Sequence, residues 1–241
     1  MKILQSKLPN VGTTIFTVMS KMAQDHGAIN LSQGFPDFDC PPRLRELVTV
    51  HLNDRKNQYP PMAGIPSLRE QIALKVRDYY GYDADPETEV TVTSGATEAL
   101  FDAVQAVVSA GDEVIVFDPA YDSYDPAILL AGGKTIHVPL SLPDYAMDWD
   151  RLEQAINSKT RLIIINSPHN PCGSVLSRDD FDRLAALIRD HDILVLSDEV
   201  YEHMVYDGEK HESILAHSEL REKSFAVFSF GKTYHATGWK L

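Results

Sequence analysis

Nearly continuous apolar runs alternate with segments of helical period along most of this chain. From residue 89 onward six such runs read as strands, at 89–93, 113–117, 134–139, 161–166, 193–197 and 224–228. Several of them (LIIIN, ILVLS, AVFSF) lack polar alternation, the pattern of strands covered on both faces within a parallel sheet. Between the runs, apolar residues recur at helical spacing over 97–108, 148–156 and 177–190. The last of these opens on Ser177 with Asp179 and Asp180 in its first turn, a combination that caps free backbone N–H groups. Such alternation predicts an α/β fold, an open, mostly parallel sheet with helices on both faces. Before residue 89 the pattern differs. An amphipathic helix over 14–24 and an extended stretch at 29–32 lead into the turn-rich GFPDFDCPP, and helices follow over 42–53 and 66–80. No repeat, low-complexity tract or linker interrupts the chain.

Composition narrows the classes of function. The 241 residues are 44% hydrophobic and 24% charged, as in an ordinary soluble globular protein with room for one large core, or one core and part of a second domain. A net charge of −13 argues against nucleic acid or an anionic membrane surface as partner. Cys40 and Cys172 lie far apart and match no metal spacing, so reduced thiols are expected. The opening MKILQSKLPN lacks the apolar centre of a signal peptide, and no apolar run approaches a membrane span. Cytoplasm is therefore the expected compartment. The nine histidines show neither H-x-x-x-H nor H-E-x-x-H spacing, and no metal site is read from them.

Open α/β sheets bind ligands outside the carboxyl ends of their strands. Those ends supply, in order, Ser94-Gly95-Ala96-Thr97, Asp118-Pro119-Ala120-Tyr121, Asn166 with Asn170-Pro171, Asp198-Glu199-Val200-Tyr201 and Ser229-Phe230-Gly231-Lys232. A small-residue helix start, an aromatic ring, an amide, a carboxylate with a nearby phenol, and a lysine thus converge on one edge. SFGKT invites comparison with the phosphate loop G-x-x-x-x-G-K-[ST]. The first glycine of that loop would fall on Ala226, and the bulky VFSF between cannot easily wrap phosphates. A solvated edge lysine is the bland alternative, but Phe230 and Tyr234 flank Lys232 in sequence, and such surroundings favour a neutral amine and imine chemistry.

SFGKTYHATGWK resembles the cofactor-lysine signature of class I pyridoxal-phosphate-dependent aminotransferases of fold type I, with a serine three before the lysine and a basic residue eight after it. The resemblance implies that Lys232 bonds pyridoxal 5′-phosphate covalently and that Ser229 and Lys240 hold its phosphate. The family usually has arginine where Lys240 stands. Lysine keeps the charge but loses the bidentate fork, and methionine- and kynurenine-type members also carry GWK. TSGATEAL resembles the family's phosphate cup, giving Gly95, Ala96 and Thr97 backbone contacts to the anion at a helix start. A plain strand-to-helix turn remains the alternative for those residues. NSPHNPCG resembles the segment whose asparagine, Asn170, bonds the cofactor's phenolic oxygen. LSDEVY resembles the segment whose aspartate, Asp198, pairs with the pyridine nitrogen and whose Tyr201 reaches the phenolic oxygen. An N-cap is the alternative for Asp198. DPAYDSY matches the segment whose aromatic residue, Tyr121, stacks on the ring. LSQGFPDF resembles the loop near the substrate carboxylate, which makes Gly34 a substrate contact. NQYPPMAG resembles the segment whose tyrosine, Tyr59, reaches the phosphate in a neighbouring subunit's site. An ordinary core tyrosine is the alternative there. His169 and His235 flank these motifs without an assigned role.

The resemblance runs from TTIFT to TGWK and is nearest the methionine/kynurenine-type branch, through GTTIFT, LSQGFPDFD, PHNP and SFGKTYH. It implies an N-terminal arm with part of a small domain over 1–45 and a cofactor-binding large domain over 46–241. Family members run on past the position of Leu241. The large domain is thus expected to be incomplete, the small domain largely missing, and the arginine for the substrate carboxylate absent, so that little transamination is expected of this chain alone. The implied activity moves the amino group of a neutral, sulfur-containing or aromatic amino acid to a 2-oxo acid in a homodimer with shared sites. Lys232 would act as general base and acid, with Asp198 and Tyr121 also catalytic. A cysteine-S-conjugate β-lyase on the same scaffold and a non-catalytic cofactor-binding remnant are the alternatives.

Overall fold

The computed structural model describes residues 5–34 and 36–241. In chain order the elements are α1 (Ile15–Asp25), α2 (Pro42–Asn53), α3 (Pro66–Tyr80), α4 (Ala96–Val107), β1 (Glu113–Asp118), α5 (Tyr124–Ala131), β2 (Lys134–Pro139), α6 (Trp149–Ala155), β3 (Thr160–Asn166), α7 (Arg178–Ile188), β4 (Leu194–Asp198), α8 (Ser218–Arg221), β5 (Ser224–Val227) and α9 (Phe230–Thr233). Tight 3-10 turns lie at Ile214–Ala216 and Thr237–Trp239. The strands form one sheet in the order β2-β1-β3-β4-β5, and every pairing is parallel.

Residue parity divides the core between the two faces of the sheet, because successive side chains of a strand point to opposite sides. Ile115, Phe117, Ile163, Ile165 and Val195 pack with Leu152 of α6, Phe181, Leu184 and Ile188 of α7, and Leu220 of α8. Val114, Val116, Leu162, Ile164 and Leu196 pack with Leu100 and Val104 of α4 and Tyr124 and Ile128 of α5. Each such aliphatic chain, fully buried, contributes about 1.5–3 kcal/mol relative to exposure. This explains why the central runs lack polar alternation: both faces are covered.

Local signals set the helix limits. Ser177 Oγ accepts from Asp180 N–H and the Asp180 carboxylate accepts from Ser177 N–H, a closed capping box at the start of α7. Pro66 opens α3, and Gly81 ends it in the left-handed region at φ 69°. Arg69 of α3 is buried and donates to the carbonyls of Pro86 (2.8 Å) and Glu87 (3.2 Å), which ties that helix to the loop before the sheet.

Two points of the sequence reading are corrected. The segment 89–93 is not a strand: among the described residues no strand pairs with it, and Val92 N–H donates instead to Ala63 C=O at 3.0 Å. A strand requires a ladder partner as well as an apolar sequence. Second, α5 was not anticipated, because YDPAILLA is apolar nearly all round and offers no helical contrast to read. Among the described residues, no helix is long and apolar enough to cross a membrane and no group of His, Cys, Asp and Glu could hold a metal ion.

Candidate active site

The strand order reverses direction between β1 and β3, since the chain leaves β1 toward β2 on one side and returns to β3 on the other. Such a switch opens a crevice at the carboxyl ends of the strands. Asn166 and Asp198 face each other there, the last residues of β3 and β4 and a paired position in their ladder. Asn166 Nδ2 donates to the Asp198 carbonyl (2.8 Å), and Asn166 Oδ1 accepts from Asn170 N–H (2.7 Å). One buried amide therefore pins both the Asp198 backbone and the loop bearing Asn170.

Asp198 is 3% exposed. Its Oδ2 accepts from the Tyr124 hydroxyl at 2.6 Å and its Oδ1 from Val200 N–H at 3.3 Å. Burial pushes the carboxyl up to about 6, and the negative charge of Glu199 adds to this, while the Tyr124 hydroxyl, the Val200 N–H and the Lys232 charge oppose it. Burial and the Asp198 charge push the Tyr124 phenol well above its ordinary range, so it stays a donor. Tyr121 stands edge-on to Tyr124, with ring centroids 5.7 Å apart and planes at 78°. The loop after β1 thus delivers two rings to the crevice, one of which reaches the carboxylate. The residues 121–124 reading found only the first of them. The spacing of three, across the turn that leads into α5, was the signal that could have found the second.

Lys232 lies in α9, where Ser229 Oγ accepts from Lys232 N–H at 3.3 Å and so caps the turn. Its Nζ stands 5.3 Å from the centroid of the Tyr201 ring. Phe230 and Tyr234, its neighbours in sequence, stack on each other at 5.9 Å and line a groove of about 570 Å³ beside α3. The aromatic residue facing the amine is therefore Tyr201 and not the flanking pair, because residues four apart on a helical turn share a face that the residue midway between them does not.

The start of α4 meets the end of the chain. Gly95 adopts φ 80° and ψ 166°, and a Cβ there would come within 4.0 Å of the Lys240 carbonyl carbon. Among the described residues, the N–H groups of Ala96 and Thr97 find no acceptor. Gly231 N–H donates to the Leu241 carbonyl at 2.9 Å, so the segment carrying Lys240 folds back against the segment carrying Ser229 and Lys232. Gly34 and Tyr59 are not brought to this crevice. Gly34 is exposed with open space about it, and Tyr59 is 98% exposed, which excludes an ordinary core tyrosine.

Two further carboxylates anchor the site from behind. Buried Glu199 accepts from Ser197 Oγ (2.8 Å) and Ile214 N–H (3.0 Å) and pairs with His211 at 2.8 Å. Buried Glu202 accepts from Lys75 and from the Tyr80 hydroxyl, both on α3. In D-E-V-Y-E, then, Asp198 and Tyr201 serve the crevice while Glu199 and Glu202 tie its floor to the loop at 211–214 and to α3. Composition offered no means of telling these acids apart.

Residues 26–241 match the family described as aminotransferase class I and II. The chain is similar to methionine aminotransferase of Escherichia coli (strain K12), with 54% identity over 239 residues covering 99% of this chain and 62% of that protein. It is also similar to the solved structure of N-succinyldiaminopimelate aminotransferase from Mycobacterium tuberculosis, with a TM-score of 0.94 and 42% identity over 99% of this chain and 62% of that one. Kynurenine–oxoglutarate transaminase 3 of Homo sapiens is 37% identical over 98% of this chain and 54% of its own length. The chain thus spans between 54% and 62% of the length of these relatives.

Proposed function

Because the chain belongs to the class I and II aminotransferases, whose members depend on pyridoxal 5′-phosphate, we propose that it serves transfer of an amino group between an amino acid and a 2-oxo acid, with the cofactor held in the crevice at the carboxyl ends of β1, β3 and β4. The observation that carries this reading is buried Asp198 at the carboxyl end of β4, with Lys232 near enough for its charge to act on the carboxyl and with its amine over the Tyr201 ring.

The residues present fit the cofactor. The unpaired N–H groups of Ala96 and Thr97 lie at the start of a helix of 12 residues, with Lys240 alongside, and suit a phosphate. Gly95 leaves room for close approach, and Ser229 adds a hydroxyl. Pyridoxal phosphate, when bound, supplies an aldehyde that bonds reversibly to amines and a ring that accepts electrons from the substrate's Cα. We assign Lys232 to hold the cofactor covalently and, with its amine free, to move the proton at the amino acid's Cα. Asp198, aimed by Tyr124, would keep a proton on the ring nitrogen. Asn170 and Tyr201 would bind the phenolic oxygen, and Tyr121 would bound the ring plane.

A neutral, sulfur-containing or aromatic amino acid is the substrate class we assign, on the similarity to the methionine and kynurenine enzymes. Gly34 is assigned to the substrate carboxylate. Tyr59 is assigned to a second copy's site, because its exposed ring has no use within its own chain. Two free cysteines accord with a reducing cytoplasm.

The test is covalent trapping followed by turnover. Borohydride treatment of protein loaded with pyridoxal phosphate should fix the adduct on Lys232, and Lys232→Ala should abolish it. In protein extended to the length of its relatives, methionine and kynurenine should then donate to a 2-oxo acid in preference to aspartate. An adduct mapped to Lys240, or donation by none of these amino acids in the extended protein, refutes the assignment.

A further inference from the structure

His137 stands on β2, the edge strand of the sheet, and has no part in the site described above. The parallel register sets it beside Val116 and sets Asp118 beside Pro139. His137 and Asp118 therefore point to the same face of the sheet, the one that α4 and α5 cover. The His137 ring lies between two carboxylates. Its Nδ1 is 3.0 Å from Asp118 Oδ1, at the end of β1, and its Nε2 is 3.6 Å from Asp125 Oδ2, in the first turn of α5. Among the described residues neither carboxylate has another hydrogen-bond or ion-pair partner, and Asp125 Oδ1 is buried without any. A neutral imidazole has one N–H to give and an imidazolium two, so the ring can hold Asp118 alone or both acids together.

Asp118 and Asp125 are also the two ends of the loop that carries Tyr121 and Tyr124. Inside that loop the backbone closes one turn, Tyr124 N–H to Tyr121 C=O at 3.2 Å, and the Ser123 side chain at the start of α5 caps no N–H. The loop is thus lightly held by its own backbone. Its rings are nevertheless closely placed, with the Tyr124 hydroxyl on Asp198 at 2.6 Å and Tyr121 edge-on to Tyr124.

We propose that His137 is a positioning residue: by holding Asp118 and Asp125 it braces the base of the 118–125 loop, and so fixes where Tyr124 meets Asp198 and where Tyr121 stands. That the braced rings serve a cofactor and an amino acid rests on the function proposed above; the brace and its hold on Asp198 do not. The brace works from outside the crevice. The side chains of His137, Asp118 and Asp125 are 43%, 39% and 47% exposed, so water competes for each contact and the tie is a modest one.

Asp198 itself reports on the loop, because the Tyr124 hydroxyl holds its titration down against burial. Two measurements on the cofactor-free chain are read: amide hydrogen exchange over residues 120–124, and the titration midpoint of the Asp198 carboxyl by carbon-13 NMR. Tyr124→Phe removes the hydroxyl outright and gives the full size of the midpoint shift. His137→Thr keeps a residue suited to a strand but too short to reach either acid. Asp125→Ala keeps a good helix former and removes one of the two acids. In both brace variants exchange should be about threefold faster, and the Asp198 midpoint should rise from about 6 by about half a pH unit. The direction in Asp125→Ala is decisive, because losing a nearby negative charge would by field alone lower the midpoint. Unchanged exchange in both variants overturns the brace. Faster exchange with an Asp198 midpoint that stays, or falls in Asp125→Ala, overturns the positioning role. Should both readouts move as expected while protein extended to the length of its relatives transfers no amino group, the functional proposal fails and the brace stands.

Discussion

A carboxylate taken out of water is destabilised unless donors surround it, and Asp198 shows how far two neutral donors can go. With the Tyr124 hydroxyl on one oxygen and the Val200 N–H on the other, the group still titrates near 6 in the folded protein, above its ordinary 3.8. The sign of the resulting pH dependence follows. Between those two values the folded state binds the proton more tightly than the unfolded state. The group's contribution to stability is therefore fully present below about pH 4 and is lost as pH rises through 6, by on the order of 3 kcal/mol. Asp198→Asn should remove this dependence. Urea titration of the cofactor-free proteins should find the variant more stable than wild type at pH 7.5, with the gap closing toward pH 4. An equal gap at both values would show that Asp198 is not the titrating group. The same substitution should abolish most catalysis, because an amide cannot secure a protonated ring nitrogen. Stability and activity are thus expected to move in opposite directions at one residue.

Helix starts in this chain serve two different ends. At α7 the capping box uses Ser177 and Asp180 to satisfy the first free N–H groups from within. At α4 no side chain caps the helix, Gly95 holds a backbone conformation almost confined to glycine, and Ala96 and Thr97 keep their N–H groups unpaired. The first arrangement stabilises the fold; the second leaves donors for an anion. Ser177→Ala should cost about 1 kcal/mol in urea unfolding and leave pyridoxal phosphate affinity unchanged in equilibrium dialysis. Gly95→Ala should cost about 1–3 kcal/mol through backbone strain and also weaken pyridoxal phosphate binding. Equal cofactor affinity in Gly95→Ala and wild type would remove the start of α4 from the site.

On the scale of the molecule, both faces of the sheet are covered by helices, whereas the N-terminal part stays largely exposed. Neither α1 nor α2 buries a residue fully, and Ile29, Leu31, Tyr59 and Met62 are 86%, 90%, 98% and 99% exposed. Apolar surface of this kind is characteristic of a face that another polypeptide covers. If a second copy covers it, sedimentation equilibrium should return twice the 26.9 kDa chain mass, and Met62→Lys should shift the population toward monomer. A wild-type chain that remains monomeric at micromolar concentration would rule out the shared-site arrangement assigned to Tyr59.

The sequence by itself determined the α/β alternation, five of the six strands read from it, the capping of α7, and the chemistry gathered at the strand ends. Each of these is written in local terms: a period of side chains, a cap three residues long, or a motif next to a strand. Tertiary structure alone decided the rest. The run at 89–93 is not a strand because pairing is a property of two segments, and α5 is hidden because a helix covered nearly all round shows no amphipathic period. Asp198 and Tyr124 meet across 74 positions, His235 and Phe38 across 197. Glu199 and Glu202 part from Asp198 in role only through what α3 and the 211–214 loop bring to them. Contacts of that kind depend on how whole elements pack, and no window along the chain contains them.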